Sequence, residues 1–323
     1  MEEKIVTNTS QIADNIYLVD VYGYGIRRMI SLYILKGEKT TVLDSGTADS
    51  TDRLTTTMSL LGIDFNSVRY IMLSHRHHDH AGGAAILLKH FPNVQVGVHE
   101  FAKKHLVDPS KINMGAREVF GRYAVPMEPI KDEGKILVLE DKKTFWLGDN
   151  YELETVYTPG HTSDHFAFYE KKTGLLFCGD AVGTFGPISK TITPTSFPPS
   201  FNYDNYTASI KKLLAYDINI LAFPHFGAVI GSEAKRILRK SLEVAEDWKR
   251  FVDNLRDKNL DGHSIAKALQ ESHMGELEIF PASIRGMIGS ALAQGFLMGC
   301  KSSWNLAEKD ADDPEIPCDD QCV

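Results

Sequence analysis

The stretch Leu73-Ser74-His75-Arg76-His77-His78-Asp79-His80-Ala81-Gly82-Gly83 constrains this chain more than any other. The apolar run from Val68 to Leu73 reads as a strand. It leads directly into His75, His77, Asp79 and His80, four side chains able to ligate a metal within six residues. Without a metal, such crowding desolvates several polar groups with nothing to offset the cost. With one, a loop at a strand end turns neighbouring side chains towards a single point. Imidazole nitrogen and carboxylate oxygen suit zinc, manganese or iron, and leave the choice among them open.

The surrounding sequence predicts how that strand is built in. Ile16 to Val21, Ile30 to Lys36 and Thr40 to Leu43 read as short strands joined by hairpins, each ended by Gly or Asp. Helical periodicity follows from Ser50 to Leu61 and from Ala84 to His90, with a strand at Val94 to Val98. Further strands are expected at 135–139, 151–157, 165–170, 175–178 and 218–223. Strands interleaved with helices indicate an α/β chain rather than an all-β sandwich. Two stretches read as long connections: 101–134, with a helical piece around Ile112 to Phe120, and 183–202, which carries Pro187, Pro194, Pro198 and Pro199. Long irregular loops in a compact domain commonly form binding walls or lids.

After His225 the pattern turns helical, over 233–255, 264–269 and 283–298. We therefore divide the chain into a domain at 1–231, a helical C-terminal extension at 232–305, and a tail at 306–323. The tail holds five Asp and two Glu against one Lys, including the pair Cys318 and Cys322, and reads as disordered.

Four further motifs follow the histidine cluster's pattern. They are Val42-Leu43-Asp44-Ser45-Gly46, Thr158-Pro159-Gly160-His161-Thr162, Phe177-Cys178-Gly179-Asp180 and Phe223-Pro224-His225-Phe226-Gly227. Together with H-x-H-x-D-H at 75–80, and in this order, they resemble the metallo-β-lactamase superfamily over roughly the first 230 residues. The resemblance implies a four-layer αβ/βα sandwich and two divalent metal ions, with zinc as the default. By the same resemblance His75, His77 and His161 would hold one metal, and Asp79, His80 and His225 the other, with Asp180 between them. Asp44 would buttress the metal loop. The reaction implied is hydrolysis by a hydroxide shared between the metals, with Asp79 also handling its proton. One departure is visible: many relatives have glycine on each side of the last histidine, whereas here Pro224 and Phe226 stand there. His78 occupies a variable position and is expected to point away from the metals, and His165 is expected to support the site structurally. Cys178 reads as an inert core cysteine.

The resemblance narrows the chemistry further. Diiron redox relatives typically carry Glu where His77 stands, so a hydrolase is expected. Residues 158–165 are most similar to the glyoxalase II and lactonase branches, although the basic glutathione-binding residues of glyoxalase II have no counterpart. Met114, Phe120, Met127, Phe185, Phe197 and Phe201 in the two long connections suggest a partly apolar pocket. An ester, thioester or lactone with an apolar portion is the expected small-molecule substrate, and Tyr203 and Tyr206 are candidates to donate to its carbonyl oxygen. A phosphodiesterase or ribonuclease of the same fold is the alternative. The net charge of -8 and pI near 5.8 disfavour nucleic acid as a partner. A non-catalytic metal-binding sensor is a third reading, in which the glycine-spaced run from Ile284 to Phe296 packs on its own core or on a second copy as a homodimer. The N-terminus lacks a signal-peptide pattern and no stretch suits a bilayer span, so no membrane partner and a cytoplasmic location are expected.

Overall fold

Apolar residues on both faces of most strands leave each sheet needing cover on two sides, and the computed structural model, which describes residues 4–274 and 277–300, supplies it. Seven strands form the first sheet, in the order Ser10–Ala13, Ile16–Asp20, Ser31–Leu35, Thr40–Leu43, Val68–Met72, Gln95–Val98 and Ile136–Val138. Its first half is an antiparallel meander. From Thr40–Leu43 onward the pairing is parallel, because helices such as Thr51–Leu60 and Ala84–His90 make the crossovers. The second sheet, also of seven strands, runs Lys4–Val6, Gly227–Ile230, Ile220–Phe223, Leu175–Phe177, Phe166–Glu170, Tyr151–Tyr157 and Thr144–Gly148. It is antiparallel except where Leu175–Phe177 lies parallel to Ile220–Phe223.

The two-residue period of the strands divides the core. Phe168, Phe177, Ala222 and Ala228 point between the sheets, where Phe177 meets Tyr33 with ring centroids 5.4 Å apart. Their alternates Tyr169, Leu176, Leu221 and Val229 point outward into a second core, covered by helices Tyr203–Leu213 and Ser232–Asp257. The order is thus helices, sheet, sheet, helices: the expected four-layer α/β sandwich, with C-terminal helices beyond it.

Ser232–Asp257 buries Ile237, Leu238, Ala245 and Trp248 in that second core. The last helix, Ala282–Gly299, lies against the proline-rich connection. A Cβ on Gly295 would stand 1.9 Å from the Ser196 carbonyl oxygen and one on Gly299 2.5 Å from the Phe201 ring, so the glycines allow backbone-to-backbone packing. These glycines therefore serve the chain's own core. The connection also contains a two-stranded ribbon, Thr184–Gly186 with Thr191–Thr193, which its sequence did not signal. The acidic tail, with Cys318 and Cys322, lies outside the described residues. Among those described, no helix is long and apolar enough to cross a membrane.

Candidate metal centre

Five loops reach the same edge of the sandwich because each leaves the carboxyl end of a strand. Asp44 follows Thr40–Leu43, His75 follows Val68–Met72, His161 follows Tyr151–Tyr157, Asp180 follows Leu175–Phe177 and His225 follows Ile220–Phe223. The Phe166 amide donates to the Ser74 carbonyl at 2.7 Å and stitches the two sheets together there.

The side chains converge as two clusters with a shared member. His77 Nδ1 lies 2.9 Å from His75 Nε2 and 3.0 Å from His161 Nε2. His225 Nε2 lies 3.3 Å from both Asp79 Oδ2 and His80 Nε2. Asp180 Oδ2 stands between them, 3.4 Å from His161 Nε2 and 3.8 Å from His80 Nε2. Three groups, His75–His77–His161, His75–His80–Asp180 and Asp79–His80–His225, each bring their donor atoms within 4.8 Å of one another. All seven predicted residues are therefore together. Asp79 and His77 are half-buried and the other five are buried; the Asp79 side chain is 17% exposed against 1% for His80.

On three of the rings the outer nitrogen is already engaged. His80 Nδ1 donates to Asp44 Oδ2 at 2.7 Å, His161 Nδ1 to the Thr195 carbonyl at 2.5 Å and His225 Nδ1 to the Met29 carbonyl at 2.9 Å. Each such bond places a proton on Nδ1 and turns Nε2 inward, where on His80 the neighbouring carboxylates hold a second proton. Burial, together with the neighbouring rings, holds His75 and His77 well below the ordinary imidazole range, so both are neutral. Burial also opposes charge on His80, but Asp79, Asp180 and Asp44 outweigh it and push it up to about 10. For Asp79 burial works against ionisation, and His80, His225 and His78 overcome it, holding the carboxyl well below its usual range. Nitrogens about 3 Å apart need a proton or a metal cation between them, and nitrogen and carboxylate donors in this arrangement fit divalent cations.

Asp44 is fully buried with φ of 59°; besides His80 it accepts from the Ser74 amide at 2.6 Å and the Ser74 hydroxyl at 3.0 Å. His165 accepts from the Asp180 amide through Nε2 at 2.9 Å and pairs with Thr158 Oγ1 through Nδ1 at 2.8 Å, so it braces two loops. Pro224 and Phe226 do not displace His225. Phe226 is buried in the core between the sheets, and the Pro224 carbonyl accepts from the Ser31 amide at 2.8 Å. Cys178 is fully buried, and burial pushes its thiol up.

Tyr203 and Tyr206 are placed differently from the cluster. The Tyr203 ring packs on Phe296, with the Lys249 ammonium 5.9 Å from its centroid. Tyr206 is fully buried behind the His161 loop, where Gly160, at φ 140°, lies so close that a Cβ would come within 2.3 Å of the Tyr206 backbone. Three residues that the sequence did not single out do lie at the site. Tyr24 sits in a loop where Tyr22, Tyr24 and Arg28 all have positive φ, and its hydroxyl lies 2.6 Å from His78 Nε2. Burial, then Asp79, Asp49 and Asp180, hold its phenol well above the ordinary range. His78 thus turns away from the cluster, yet it is buried rather than on the surface. Arg76 and Asp164 form an ion pair inside the protein, with NH1 2.7 Å from Oδ1. A charged residue between two metal-ligand candidates, His75 and His77, needs a counter-charge if it is buried, and that is the signal in the sequence that could have found Arg76.

Comparison with known proteins agrees with this arrangement. Residues 26–225 match the sequence model described as the Metallo-beta-lactamase superfamily. The metallo-beta-lactamase fold-containing protein ST1585 of Sulfurisphaera tokodaii is 30% identical over 245 residues, 66% of this chain and 88% of the relative. A solved structure titled as ST1585 from Sulfolobus tokodaii superposes with a TM-score of 0.60 at 26% identity, covering 72% of this chain and 86% of that one. The family protein TTHA1429 of Thermus thermophilus gives 0.60 at 21% identity over 88% and 92% of the two chains, a likeness of fold. A hydroxyacylglutathione hydrolase of Aeromonas hydrophila is 29% identical over 116 residues, only 36% of this chain and 34% of the relative.

Proposed function

The chain belongs to the metallo-beta-lactamase superfamily, and from that premise we propose that it is a dinuclear metallo-hydrolase acting on a carboxylic ester, thioester or lactone. The observation that carries the reading is the convergence of two donor clusters, three of whose rings are anchored from outside through Nδ1. His75, His77 and His161 would hold one divalent cation and Asp79, His80 and His225 a second, with Asp180 available to both. Zinc is the default for such donors. When bound, the cations supply Lewis acidity that brings the pKa of a water towards neutrality.

The chain's own residues do the remaining work. Asp79, ionised and partly open to solvent, accepts the proton of the attacking water and returns it to the leaving oxygen or sulfur as the acyl bond breaks. Tyr24, protonated and with its hydroxyl 2.6 Å from His78 Nε2, offers, once it turns from His78, a hydrogen bond to the substrate oxygen that gains charge. The charges that bear on its hydroxyl are the carboxylates Asp79, Asp49 and Asp180. The partial likeness to a hydroxyacylglutathione hydrolase supports the same class.

The test is turnover by the zinc-loaded protein of aryl esters, thioesters, γ- and δ-lactones and bis-p-nitrophenyl phosphate, with and without a chelator. Chelator-sensitive turnover confined to the acyl compounds is expected. Turnover of the phosphodiester alone would replace the reading with a nuclease-like one, and turnover of nothing would favour a metal-binding sensor.

A further inference from the structure

The Arg76–Asp164 pair is buried at the junction of the two loops that supply three of the inward-facing nitrogens, with side chains 3% and 0% exposed. Asp164 uses both oxygens on one residue. Oδ2 accepts from the Arg76 amide at 2.9 Å and Oδ1 from the Arg76 guanidinium at 2.7 Å. Arg76 stands between His75 and His77 in the chain, and Asp164 lies between His161 and His165. Nearby, the Tyr157 hydroxyl donates to the Ser163 carbonyl at 2.7 Å, which steadies the turn that carries Asp164.

Stability alone gives a poor account of such a pair. Taking two charges out of water costs several kcal/mol per ion, and well-packed apolar side chains of similar volume commonly serve the fold as well. What the pair does supply is a fixed distance between the His75–His77 turn and the His161 loop. Those loops furnish the three-histidine cluster. The His161 ring has its own anchor on the Thr195 carbonyl, so what the pair adds is the spacing of that loop from the His75–His77 turn; the other cluster is braced without it, His80 on Asp44 and His225 on the Met29 carbonyl.

We propose that Arg76 and Asp164 are positioning residues for the His75–His77–His161 cluster alone, setting its affinity for a divalent cation without governing the Asp79–His80–His225 cluster. The inference rests on the metal-binding reading above. Through the carboxylate, a displacement of either loop is transmitted to the other, so loss of the pair lets His161 move relative to His75 and His77. His80 and His225 keep their own anchors.

The experiment is cobalt(II) titration of the purified full chain against a competing chelator, followed by absorption spectroscopy, to obtain the two stepwise affinities. His161→Ala and His225→Ala identify which step belongs to which cluster. Arg76→Gln, Asp164→Asn and the double variant are then compared; the double variant leaves no unbalanced buried charge and keeps the test alive if a single variant does not fold. In the folded variants, a loss of about tenfold to a hundredfold at the His161 step is expected, the usual effect of removing a group that orients metal ligands. The His225 step should stay within about threefold of the wild-type value, inside the scatter of such context effects. Equal weakening of both steps, or of neither, overturns the proposal while leaving the metal centre intact. Failure of the wild-type chain to take up cobalt overturns the metal-binding reading and this inference together.

Discussion

Replacing Asp44 by Asn tests whether the site is held from outside the ring of ligands. The backbone there has φ 59°, a conformation Asn tolerates well, so the change costs little in the main chain. The carboxylate takes three hydrogen bonds: the Ser74 amide on Oδ1, and the Ser74 hydroxyl and His80 Nδ1 on Oδ2. An amide has one acceptor oxygen, so its NH2 must face a donor on one side. If the amide oxygen keeps the Ser74 amide, His80 Nδ1 loses its strong acceptor and the tautomer that aims Nε2 inward is no longer enforced. A buried donor left unsatisfied costs about 1–3 kcal/mol. At about 1.4 kcal/mol per factor of ten, this is roughly 5- to 150-fold in metal affinity if the whole penalty falls on the liganded geometry. Zinc titration against a fluorescent chelator, run beside urea unfolding of the metal-free chain, separates the affinity loss from any general loss of stability. An Asp44→Asn protein that folds normally and binds zinc within about twofold of wild type would refute the orienting role, since the effect of such groups is typically at least tenfold.

Other perturbations have defined outcomes. Gly295→Ala drives a Cβ to 1.9 Å from the Ser196 carbonyl oxygen and should destabilise the chain by about 1–3 kcal/mol in urea unfolding; an unchanged midpoint would show that the last helix does not pack there as described. Tyr24→Phe should lower kcat on ester substrates by about a hundredfold with metal content unchanged, whereas unaltered kinetics would remove Tyr24 from the reaction. Metal binding at Asp79–His80–His225 must displace the proton that neighbouring carboxylates hold on His80, whose pKa is pushed up to about 10. Affinity there should rise about tenfold per pH unit for each proton displaced as pH increases through neutrality. His75, His77 and His161 are all lowered, so their cluster should vary little over the same range; equal pH slopes at the two clusters would contradict this.

Much of this was legible in the sequence because the ligand loops obey a local rule. An apolar strand ends, a polar turn follows, and the side chains of that turn lie at the sheet's carboxyl edge. Thr40–Leu43 and Tyr151–Tyr157 were read to the residue, since β-branched and aromatic runs bounded by Gly or Asp compete poorly for any other state. The edge strand Lys4–Val6 and its neighbour Gly227–Ile230 were harder, since they pair in registers such as Lys4 to Ile230 that no local pattern encodes. The helix Tyr203–Leu213 follows a stretch of prolines and begins at Asn202, whose side chain accepts from the Asn205 amide, a signal legible in principle.

Tyr24 and Asp164 illustrate a different limit. They lie in sequence outside the H-x-H-x-D-H stretch and are recruited by tertiary contacts, at 2.6 Å from His78 and 2.7 Å from Arg76. Tyr203 and Tyr206 were singled out because they follow the proline-rich connection. The helix they occupy turns one ring onto Phe296 and buries the other against Gly160. Proximity in sequence to a loop says little about which face of the next helix looks into the site.

The central claim is that two clusters each hold a cation. Anomalous diffraction from crystals grown with zinc, recorded on either side of the zinc edge, tests it most directly. The account predicts two peaks, one at about 2.0–2.1 Å from nitrogens of His75, His77 and His161 and the other at about 2.0–2.2 Å from donors of Asp79, His80 and His225. A single peak, or density held by other residues, would contradict it.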